Sequence, residues 1–224
     1  MDQFWQPFIL SIELAFLTTV CLMVIGFVLV FFIHHFDFLL KNLVKSLVTL
    51  PLVLPPSVLG YYLLVSFQQN AFLGKWFEII FNVQLAFSFE GILLGSIIFS
   101  LPFMVNPVLS ALDNLMVSLQ EASFTLGKSR FVTYTQVILP NVKPAILTSL
   151  ILTFAHTIGE FGVILMIGGN IPGETRVASL AIYHELEALN YGMANSYSLI
   201  LLGFSLTILL VVYYFQKRFK PDFT

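Results

Sequence analysis

The chain has 224 residues, 58% of them hydrophobic and only 10% charged, with a net charge of −2 and a mean hydropathy of +0.93. Soluble domains carry about 25% charged residues, so an ordinary soluble domain is excluded, and the slightly acidic balance excludes a nucleic-acid-binding face. The one cysteine, Cys21, lies in an apolar run and reads as a small buried hydrophobe, which excludes a disulfide framework and a cysteine-based metal site. What remains is an all-α polytopic membrane protein with a single membrane domain over residues 1–224.

A span needs about 20 mostly apolar residues. Five stretches qualify, at about 7–33, 46–67, 90–112, 145–168 and 194–216. The opening MDQFWQPF has no Lys or Arg and no small-residue cleavage site follows, so the first run reads as a retained span and not a signal peptide. Glu13 sits near its outer end. His34 and His35 follow it with no carboxylate or Cys cluster beside them, so no metal and no cofactor is expected. In the second span Pro51, Pro55 and Pro56 interrupt the helix and Gly60 follows. Irregular backbone at membrane depth is tolerated where it is buried in protein or lines a cavity. Two readings therefore fit: a bent, pathway-lining helix with Ser57 near the pathway, or a kink packed against its neighbours.

Residues 71–89 are rich in aromatics and read as an interfacial segment, a short helix followed by a strand-like lead-in. Glu90 opens the third span as a boundary residue. Deeper in that span, Asn106 and Pro107 fit either a pathway or an interhelical hydrogen bond. After it comes the polar stretch EASFTLGKSRFVTYTQVILP, residues 121–140. One helix is expected from near Val117 to Gly127 and a second from Lys128 to Leu139, with Pro140 and Pro144 ending the loop helix and starting the fourth span. Gly127 is where the backbone turns. In the fourth span His156 and Glu160 stand one turn apart on one face, and intramembrane ionisable residues are functional candidates. Glu160 is expected to bond to His156 or to backbone, or to be protonated, fixing the packing at Gly159 and Gly162. Residues 169–193 read as a Pro-Gly turn and an amphipathic helix at the outer face, and Asn170 is not in a glycosylation pattern.

Basic residues orient the spans. Lys41, Lys45, Lys128, Arg130, Lys143, Lys217, Arg218 and Lys220 fall on one side, and only Lys75 and Arg176 on the other. The first side is cytoplasmic, which puts the N-terminus outside, the C-terminus inside and the polar loop of about 113–144 in the cytoplasm.

That loop resembles the EAA loop of ABC-importer permeases, written Glu-Ala-Ala, three residues, Gly, nine residues, Ile, any residue, Leu-Pro. The matching residues are Glu121, Ala122, Ser123, Gly127, Val137, Leu139 and Pro140; Ser123 stands for Ala and Val137 for Ile. In that family the loop is a coupling helix that docks on a cytoplasmic ATP-binding subunit. No GxxxxGK[ST] loop is present in this sequence, so the ATPase is expected on a separate polypeptide and no residue here is expected to catalyse a reaction. The stretches PLVLPPSVLGYYLL (51–64), GEFGVILMIGGNIPGETR (159–176) and SLAIYHELEALNYG (179–192) resemble the molybdate permeases, often also tungstate-competent, of type I ABC importers. The sulfate and thiosulfate permeases share the GEFG and NIPGxT-like region, within 159–176, in looser form.

The resemblance implies the type I importer permease fold, a homodimer in the lipid of the inner membrane, two ATP-binding subunits and an extracytoplasmic molybdate-binding protein. It implies coupling through Glu121, Ala122, Ser123, Gly127, Leu139 and Pro140. Pathway or gate candidates are Pro55, Pro56, Ser57, Gly60, Asn106, His156, Glu160 and Gly162. Direct binding of a dianion by Glu160 is disfavoured, since a carboxylate repels it strongly in low dielectric. The rivals are a proton-coupled carrier using His156 and Glu160 as a relay, and an intramembrane enzyme, for which those two groups alone are too few.

Overall fold

The computed structural model describes residues 2–36, 39–115 and 117–218; Lys220, used above for orientation, lies outside them. Eleven α-helices are present among the described residues: α1 Asp2–His35, α2 Lys41–Val53, α3 Pro56–Phe67, α4 Phe72–Phe81, α5 Phe89–Asp113, α6 Val117–Thr125, α7 Arg130–Thr133, α8 Leu139–Gly159, α9 Gly162–Gly168, α10 Ala178–Glu187 and α11 Tyr191–Arg218. A π-helical turn, Tyr134–Ile138, joins α7 to α8. Four helical stretches are long and apolar enough to cross a membrane: Gln3–His35, Phe89–Asp113, Arg130–Gly159 and Tyr191–Val211. The pair α2 and α3, bent by 113°, makes a fifth if counted as one span.

Helices α1, α5 and α8 pack on one another, α2 lies against α5, and α9 sits between α3 and α5. One apolar cluster unites Leu10, Leu14, Leu63, Phe67, Ile92, Val163 and Ile167 at the end of the bundle where α5 begins. A second, including Val30, Val48, Val108, Leu112 and Ile138, fills the end near the polar loop. Helix α11 joins through α10 and through a ring stack of Tyr197 on Phe4, with centroids 4.7 Å apart.

The second span breaks where its prolines require. Leu54 and Pro55 both precede a proline and are extended, with ψ of 136° and 135°, as the clash with a following pyrrolidine ring dictates. Pro56 then occupies the first turn of α3, where its missing N–H costs nothing. The fourth span also breaks, which the sequence reading of a single helix over 145–168 missed: Glu160 is extended (ψ 133°) and α9 starts anew at Gly162. Small residues seat the short helix. A Cβ on Gly95 would come within 2.6 Å of Ile167, one on Gly60 within 2.8 Å of Met166, and one on Gly162 within 2.7 Å of Pro56.

Two further expectations are corrected. Pro140 does not end the loop helix, because the π turn absorbs it: the Leu139 N–H reaches back five residues to the Tyr134 carbonyl. A wider turn accommodates the ring and the missing N–H that would break a regular helix. The strand-like lead-in after α4 is irregular backbone, for no strand lies beside it among the described residues; the Phe87 N–H donates instead to the Ile167 carbonyl at 2.9 Å. Helix α5 then starts on a side-chain cap, with the Ser88 Oγ accepting from the Gly91 N–H at 3.1 Å.

At Gly91 itself a Cβ would run into the Leu85 carbonyl, which is backbone and cannot step aside. Gly91→Ala is expected to lower stability by on the order of 1–3 kcal/mol, read as an earlier thermal transition in detergent. Gly203→Ala, with nothing within 4 Å of the added carbon, should leave the transition in place.

Candidate functional site

The polar loop folds as a helix, a turn and a second helix. The turn follows from Gly127, whose φ is +73°. The Lys128 N–H donates to the Ser123 carbonyl (3.1 Å) and the Gly127 N–H to the Phe124 carbonyl (2.9 Å), the paired bonds of a Schellman ending with a left-handed glycine. Ser129 restarts the chain by capping α7, its Oγ accepting from the Val132 N–H at 3.3 Å. Ser123 is buried, and its hydroxyl bonds the Thr133 hydroxyl at 2.8 Å. The substitution that reads as conservative in size thus adds a bond between α6 and α7. Thr133 was not among the sequence candidates, since only the turn brings it near.

Glu121 and Ala122 are exposed, and Leu126 and Phe131 are 78% and 76% exposed, bare apolar side chains among Glu121, Lys128 and Arg130. Glu121 stands mid-way along α6. Leu139 and Pro140 open α8 and are exposed.

The intramembrane candidates divide. Gly60 and Gly162 are packing positions against α9 and α3. Pro55, Pro56 and Ser57 are exposed at the α2–α3 break. Glu160 is buried; the Ser96 hydroxyl donates to its Oε2 at 3.0 Å, and the Ser179 hydroxyl to its backbone carbonyl at 2.5 Å. Its Oε1 has no hydrogen-bond partner among the described residues. The His156 Nδ1 bonds the Ser100 hydroxyl at 3.0 Å, and its ring stacks on Phe103 with centroids 4.0 Å apart. His156 and Glu160 therefore bond Ser100 and Ser96 of α5; of the alternatives expected for Glu160, the bond to His156 is not formed, because α8 ends at Gly159 and the one-turn relation stops with it. Asn106 lines a cavity with Lys45 and Asp113.

Residues 25–224 match the family described as the inner-membrane component of binding-protein-dependent transport systems. The chain belongs to this family. It is thus a multi-pass inner-membrane permease component of an ABC importer, and ATP hydrolysis is the work of a separate subunit. Among its relatives is the molybdenum transport system permease protein ModB of Azotobacter vinelandii, 39% identical over 211 residues, covering 94% of this chain and 93% of that protein. The sulfate transport system permease protein CysT of Escherichia coli K12 is 32% identical over 205 residues, 92% of this chain and 74% of that one. In fold, the permease is similar to a chain of a bacterial alginate ABC transporter solved with a periplasmic protein, with a TM-score of 0.77, 19% identity, and coverage of 97% of this chain and 80% of that chain.

The Ser96–Glu160 bond generates a prediction for the permease. Ser96→Ala leaves both Glu160 oxygens without a donor and is expected to cost on the order of 1–3 kcal/mol, measured as thermal stability in detergent. Adding Glu160→Met removes the stranded group, so the double variant should lose clearly less than the sum of the two single losses.

Proposed function

We propose that this permease imports molybdate, with tungstate as a competitor, as a homodimer whose pathway lies between the two copies. Residues 1–224 act as one permease domain, N-terminus outside and C-terminus in the cytoplasm, and residues 113–144 form the coupling loop. Two ATP-binding subunits grip the two loops, and an extracytoplasmic binding protein delivers the anion. Closure of the ATPase pair draws the loops together and opens the pathway outward; hydrolysis reverses this.

The observation that carries the coupling role is the rigid turn of the loop with its exposed Glu121, Ala122, Leu126 and Phe131. Aromatic and aliphatic anchors ringed by charge are what a protein partner buries. Ser123 acts from inside by tying α6 to α7, and the helix that starts at Arg130 continues without a stop through Leu139 and Pro140 to Gly159. A displacement of the loop is thereby delivered to the pathway. Molybdate as cargo is supported by the likeness to a molybdenum permease along nearly the whole of both chains. Sulfate is the second reading, supported by the CysT likeness.

Coupling is tested in reconstituted complex. Gly127 has open space around it but a positive φ, so Gly127→Val strains the backbone alone, by on the order of 1–3 kcal/mol. Gly127→Val and Glu121→Lys should leave inserted permease whose ATPase no longer responds to the binding protein, with uptake at background. Wild-type uptake in both variants would remove the loop from the coupling role. In the same vesicles molybdate uptake should be blocked by equimolar tungstate and only by a large excess of sulfate; equal competition would move the chain to the sulfate reading.

A further inference from the structure

A leucine stands where a helix ending calls for glycine. Helix α10 closes with the Asn190 N–H donating to the Glu185 carbonyl at 2.9 Å and the Leu189 N–H to the Leu186 carbonyl at 3.0 Å. These are the two bonds of a Schellman ending. Its left-handed position is Leu189, with φ of +58°, where a bulky side chain is strained and glycine is not. The other left-handed positions among the described residues obey that rule or are packed. Gly127, Gly169 and Gly173 are glycines, Asn82 and Asn170 are asparagines, and Phe87 sets its ring against Gly169. Leu189 is instead 70% exposed. The fold gains neither backbone ease nor burial from it.

The turn that presents it is firmly held. The Asn190 Nδ2 donates to Glu185 Oε2 at 2.7 Å, and the Asn190 Oδ1 accepts from the Met193 N–H at 3.4 Å. One side chain thus joins the end of α10 to the start of α11. Leu186 and Tyr191, 45% and 64% exposed, flank Leu189 in sequence. Lipid does not account for this apolar tip. The hydrocarbon core takes about 20 helical residues, and counted back from Lys217 these end near Tyr197, short of the turn. Glu185, Glu187, Asn190 and Asn195 surround Leu189 in sequence. Beside the turn opens a cavity of about 260 Å³ lined in part by Gln6, Arg176, His184 and Glu185. Arg176 is engaged by Asn170 through bonds of 2.9 and 3.3 Å, and Glu174, Glu185 and Glu187 outnumber it. Such an acidic rim repels a free oxyanion and anionic headgroups alike.

We propose that the α10–α11 turn anchors an outer docking face, and that Leu189 is the knob that enters an apolar pocket, ringed by basic side chains, on the extracytoplasmic binding protein. This rests on the importer reading and on the orientation proposed above. A knob held on a rigid turn loses little freedom on binding, and a few desolvated anchors carry most of the energy of an interface. The acidic rim steers a basic partner and fixes its register. The anchor also sits on an element that touches the break in the fourth span, since the Ser179 hydroxyl of α10 donates to the Glu160 carbonyl.

The test uses the complex of permease and ATP-binding subunits in nanodiscs, with ATPase rate followed against molybdate-loaded binding protein. Leu189→Gly and Leu189→Asn suit the left-handed backbone, so the thermal transition should hold or rise. The half-saturating concentration of binding protein should nevertheless rise by about tenfold or more, as the loss of an anchor implies. Leu189→Met keeps the apolar bulk and should dock like the wild type. Glu187→Lys should weaken docking and flatten its salt dependence. A wild-type response that Leu189→Gly and Leu189→Asn leave unchanged overturns the anchor while the importer reading stands. A wild-type complex that ignores the binding protein overturns both. A lower thermal transition in both variants would make Leu189 a packing residue and overturn the proposal. So would separation of the permease into single copies, read as particle mass, for the turn would then face a second copy of this chain.

Discussion

A hydrocarbon environment offers no water to a broken helix, and the two breaks in this permease are shaped by that constraint. Every freed N–H and carbonyl at depth needs a partner from the protein. At the junction of α8 and α9 the Glu160 carbonyl takes the Ser179 hydroxyl, and its carboxyl group takes Ser96. At the α2–α3 break the Pro55 carbonyl accepts from both Val58 and Leu59, while two prolines contribute no N–H that needs satisfying. Helix α9 can be as short as seven residues because glycines of α3 and α5 let its backbone come close, and dispersion then stabilises what its own hydrogen bonds cannot.

Those breaks matter because of what lies between them and the loop. From Arg130 to Gly159 the chain is one helical rod, despite Pro140 and Pro144. The π turn accommodates the first proline, and the helical stretch continues from the loop to the Glu160 junction. The loop is stiff in its own right: a left-handed glycine fixes the reversal, and the Ser123–Thr133 bond holds the two arms together. In the proposed coupling role, this is the element through which a displacement of the loop reaches α8. Where the rod ends, Glu160 is tied to α5 and α10, and the next helix is free to differ in direction.

Charge is sparse along the intramembrane face of α5. His156 is engaged by Ser100 and by two phenylalanine rings, and Glu160 is turned into the protein, so neither of the ionisable groups in the fourth span lies open to a passing ion. That argues against a relay between them, for they have different partners on different turns of α5. At the polar-loop end of α5, Lys45 is paired with Asp113 at 3.3 Å.

The amino-acid sequence by itself determined the class of molecule and much of its plan. Hydropathy over windows of about 20 residues fixes the spans, because burial in lipid is a property each segment carries alone. Gly127, Pro55 and Pro56 announced their turns for a similar reason: φ limits and missing N–H groups act on the chain within a few residues. The tertiary structure alone decided the pairings. Ser96 meets Glu160 across 64 positions, Ser100 meets His156 across 56, and Lys45 meets Asp113 across 68. Which serine faces which side chain depends on how each helix is rotated and how deep it sits, and apolar helices with almost uniformly hydrophobic faces leave no periodic signal of either. The break after Gly159 stayed hidden for the same reason: residues 159–162 read Gly-Glu-Phe-Gly, which a continuous helix tolerates at modest cost, and only the room that Gly60 and Gly95 leave for α9 makes the broken form the better packed one.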